Sequence, residues 1–99
     1  MAADWDAVAD VLERAATAMV TNRRLNPDAA VRLAVWGSPD TPYPDDDNAP
    51  GCDLFDEAAS LIECFCGWQG NGIAAIPADE AIDAARTEAE RVRPYGSGR

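Results

Sequence analysis

The residues best equipped for chemistry in this chain are carboxylates and thiols near its middle. Asp40, Asp45, Asp46, Asp47, Asp53, Asp56 and Glu57 lie in a stretch, residues 38–60, that contains no arginine, so this stretch carries −7 of a formal net charge of −10. Carboxylates packed this densely do one of two things. They ligate a hard cation, or they project a negative field that attracts a basic surface and speeds its arrival.

The cation reading has a partial pattern behind it. Counting from Asp46, an EF-hand loop would place Asp46 at position 1, Asn48 at 3, Gly51 at 6 and Glu57 at 12. Pro50 then occupies position 5, where a ligand is needed, and Pro42 and Pro44 deny the loop its preceding helix. Looser binding of a divalent ion by the carboxylates is the form of this reading that survives, and no residue is singled out as a metal ligand.

Cys52, Cys64 and Cys66 supply the thiols. Residues two apart on a helix point about 200° from one another, so Cys64 and Cys66 diverge, and the chain has no histidine to complete a zinc set. Core filling is the expectation for this pair, with Cys52, at a helix start, the more reactive thiol. Without histidine the usual general base is also missing, and no nucleophile, base or cofactor signature is complete. The chain reads as a non-enzyme without catalytic residues or cofactor.

Charge excludes further classes. Eighteen acidic side chains against eight arginines repel phosphate backbones and anionic lipid, which argues against direct nucleic-acid binding. The longest uncharged run, residues 64–78, is shorter than a membrane span of about 20 residues and is broken by glycines and Pro77. Three cysteines and an N-terminus interrupted by Asp4, Asp6 and Asp10 point to a reducing cytoplasm. Arginine to the exclusion of lysine, with abundant alanine, suggests a GC-rich coding sequence of a bacterium or phage.

The elements that must position these residues are helical. Asp4 caps a first helix whose apolar stripe runs Trp5, Val8, Val11, Leu12, Ala15, Ala16, Met19, ending near Asn22 to Arg24. Asn26 before Pro27 starts a second, stopped by Gly37 and Pro39, although a strand over 32–36 would have the same apolar run. Asp53 caps a third, with Asp56 completing a capping box and Phe55, Ala58, Leu61, Ile62, Phe65 and Trp68 on one face. A fourth begins beyond Pro77, buries Ala81, Ile82, Ala85, Ala89 and Val92, pairs Arg86 with Glu90 and Glu88 with Arg91 outside, and stops at Pro94. Glycines and Asn71 form the turn between the last two.

The expected fold is therefore all-α: one helical domain over 1–94, a small bundle of about four helices, with an acidic Pro-rich loop at 38–52 between the second and third helices and a flexible tail at 95–99. Only 24 apolar side chains are larger than alanine and cysteine, a thin supply for a core. The function expected is a small interaction module whose Asp40, Tyr43, Asp45, Asp46, Asp47, Asp53, Asp56 and Glu57 dock on a basic protein surface, as an inhibitor, immunity protein or DNA mimic would. The alternative is an assembly protein that forms a homodimer through the small-residue face Ala81, Ala85 and Ala89.

Overall fold

The computed structural model describes residues 4–46, 49–67 and 72–96, and these contain four α-helices and no strand: α1 Trp5–Thr21, α2 Pro27–Trp36, α3 Cys52–Cys66 and α4 Ala78–Gly96. Two starts follow the expected cap chemistry. The Asp4 carboxylate accepts from the Ala7 N–H at 3.2 Å, and the Asn26 side chain accepts from the Ala29 N–H at 2.8 Å with Pro27 at the first helical position. Residues 28–36 are thus helix, closed by Gly37 in the left-handed conformation.

The other two helices depart from expectation at their ends. Asp53 caps nothing: α3 starts two residues earlier, and its N-cap, Gly51, has no side chain to bond to the first turn, while the Asp56 carboxylate that a capping box would use accepts from Tyr43. Pro94 does not stop α4, which runs to Gly96; in a last turn, proline's fixed φ is helical and its missing N–H costs a single hydrogen bond. Tyr95 and Gly96 therefore belong to the helix rather than to a tail. Trp68 and the Asn71 turn lie outside the described residues.

The thin core is assembled by letting helices approach closely. Ala9, Ala15 and Ala16 of α1 and Ala81, Ala84, Ala85 and Ala89 of α4 are fully or almost fully buried, and α1 with α4 is the most extensive pairing in the fold. Larger side chains, among them Leu12, Met19, Val31, Ile62 and Val92, fill the space where the helices diverge. Ile73 and Ile76, in the turn between α3 and α4, close the far end. The face expected to dimerise, Ala81, Ala85 and Ala89, is fully buried within the single chain.

Ion pairs fix the direction of that pairing. Arg23, just past α1, meets Asp79 at the start of α4, and Arg93 near the end of α4 meets Glu13 at 2.7 Å and Asp10 at 3.4 Å, so the helices run antiparallel. Of the two outer pairs expected on α4, Glu88 binds Arg91 through both carboxylate oxygens, whereas Arg86 and Glu90 make no ion pair.

The third helix turns its stripe slightly away from the expected one. Phe55, Ala58 and Ile62 are buried, while Phe65 is 44% exposed. The thiols are reversed as well: Cys52 is buried, Cys64 is exposed, and Cys66 is half-buried against the Glu80 carbonyl, where burial first and then Glu80 and Asp83 push its thiol pKa up. Cys52 lies three residues before Phe55 and shares the buried stripe, whereas Cys64 lies two residues beyond Ile62 and points away from it. Because Ala85 is fully buried, Ala85→Leu should overpack the core and lower stability by about 1–3 kcal/mol. Thermal unfolding followed by circular dichroism checks this; an unchanged melting temperature would contradict the close approach.

Candidate acidic interaction surface

The site is built outward from the last two turns of α2. Asp28 and Arg32, four residues apart on this helix, form an ion pair through Arg32 Nε, and Arg32 Nη1 donates to the Thr41 carbonyl at 2.7 Å. The same guanidinium lies over the Phe55 ring, 5.0 Å from its centroid. One side chain thereby ties α2 to α3 and to the chain between them.

Trp36 completes the attachment. Its indole stacks on Phe55 with centroids 5.6 Å apart at 22°, and Tyr43 sets its ring edge-on to both, 6.2 Å from Trp36 and 5.6 Å from Phe55. The indole N–H donates to the Pro50 carbonyl at 2.9 Å. Next in sequence, Gly51 has φ +94°, and a Cβ there would stand 2.4 Å from Trp36 Nε1 and 2.7 Å from Val35 Cγ1. Glycine is required on both counts, for the left-handed backbone and for the close approach.

This framework places the acidic residues. Asp53, Asp56 and Glu57 have the three-and-four spacing that puts them on one face at the start of α3. The Tyr43 hydroxyl donates to both oxygens of Asp56, at 2.9 and 3.1 Å, and so draws residues 40–45 toward that face. Asp40, Asp45, Asp46, Asp53 and Asp56 are exposed and Glu57 is half-buried; Asp47 lies outside the described residues. A buried Cys52 thiol donates to the Asp46 carbonyl at 3.7 Å and holds the chain just before the undescribed pair.

The decisive electrostatic observation concerns where the arginines go. Arg23 pairs with Asp79, Arg32 with Asp28, Arg91 with Glu88, and Arg93 with Asp10 and Glu13. Asp40, Asp45, Asp53, Asp56 and Glu57 have no arginine partner among the described residues. Arg32 does reach the loop, yet it bonds to a backbone carbonyl and leaves the loop's charge intact.

Comparison with protein-family models, with curated proteins and with solved structures finds no match, so the chemistry of these residues has to stand by itself. Among the described residues no three His, Cys, Asp or Glu side chains group so as to hold a metal ion, and no helix is long and apolar enough to cross a membrane. The calcium pattern fails at position 7 as well: Cys52, whose carbonyl a calcium loop would offer, is the first residue of α3.

Sequence reasoning named the carboxylates and Tyr43 but not the contacts around them made by Arg32 and Phe55. The Asp28 to Arg32 spacing was the available signal for the first of these. Hydrogen bonding to Asp56, then partial burial and the neighbouring Cys52 thiol, raise the Tyr43 pKa well above its ordinary range. Since the protonated form is the one stabilised, this contribution is complete below the unfolded value near ~10 and is lost as pH rises through the folded one. In a Tyr95→Phe variant, absorbance titration should detect no phenolate in the folded protein through about pH 11, and ionisation near ~10 once denaturant is added. Ionisation near 10 while folded would contradict the Tyr43–Asp56 bond.

Proposed function

We propose that this protein is a small interaction module that docks on a basic protein surface through the negative face formed by residues 40–46 and the start of α3. The observation carrying this reading is the allocation of arginines: among the described residues four of them pair with carboxylates elsewhere, and none pairs with Asp40, Asp45, Asp53, Asp56 or Glu57. Left unpaired on one side, they attract a cationic partner and raise its association rate, an effect screened beyond about 8 Å at physiological salt.

The three aromatic residues beneath the face contribute rigidity, and Tyr43, half-buried at its rim, adds an anchor of the type enriched at interface centres. An inhibitor, an immunity protein or a DNA mimic would use such a face to cover a surface evolved for phosphate. Three free thiols suit a reducing cytoplasm as the place of action.

The test neutralises the face without disturbing its framework. A variant carrying Asp40→Asn, Asp45→Asn, Asp53→Asn and Glu57→Gln keeps the Tyr43–Asp56 bond and the Arg32 contacts. Its association with the partner captured by the parent protein should be slower by about tenfold or more at low salt, and the two should converge near ~1 M salt. Equal rates at low salt would show that the carboxylates are passive.

A further inference from the structure

We draw no further inference here: the strongest candidate, the open apolar depression between α1 and α2 lined by Ala18, Leu33, Ala34 and Val35, carries nothing, because Glu13 and Arg14 both border it with opposite charges and nothing in the structure shows what covers it.

Discussion

A stretch of chain with four prolines and no periodic apolar pattern keeps its place only through contacts made to it from outside, and here those contacts come from one end of α2. Arg32 bonds to the Thr41 carbonyl, Trp36 bonds to the Pro50 carbonyl, and Tyr43 rests between Trp36 and Phe55. Each contact engages a backbone carbonyl or an aromatic ring. These contacts anchor the loop without engaging the carboxylates of Asp40 and Asp45, which is the physical condition for a face that is both fixed and charged.

The rest of the molecule serves that arrangement economically. Alanine at the α1/α4 seam lets two helices approach closely and bury little-branched surface, so the few large apolar side chains can be concentrated elsewhere. Arginines near the ends of α1 and α4 fix their antiparallel register, with exposed pairs that individually contribute at most about 1 kcal/mol. Glu88, the one buried carboxylate among the described residues, is bound by Arg91. The ion pairs among the described residues all lie outside residues 38–60.

How much of this was legible in the sequence depends on the range of the interaction involved. The caps at Asp4 and Asn26 are local, and so are the helical stripes of α1 and α4; they read correctly because the partners lie within four residues. The start of α3 misread because Gly51 is selected by an indole fifteen positions back, and the Asp56 carboxylate is claimed by Tyr43 thirteen positions back. Cys52 was misplaced with it: set ahead of the helix, it was not counted on the stripe that it shares with Phe55 three positions on. Alanines at Ala81, Ala85 and Ala89 announced a close-packed seam, yet periodicity does not say whether the seam closes within one chain or between two. Arg32 was read only as one charge among eight because its role requires the third dimension.

The central claim is that the mid-chain connection is held in place in the free protein. The most direct measurement is hydrogen exchange of the Trp36 indole N–H by NMR, assigned by its loss in Trp36→Phe. The Pro50 carbonyl should protect it to nearly the same degree as the amides of α3, and Arg32→Met should release that protection while leaving α1 and α4 protected. Exchange of the Trp36 indole proton at the rate of an exposed tryptophan in the parent protein would mean that the connection is not anchored and that the charged face has no fixed form.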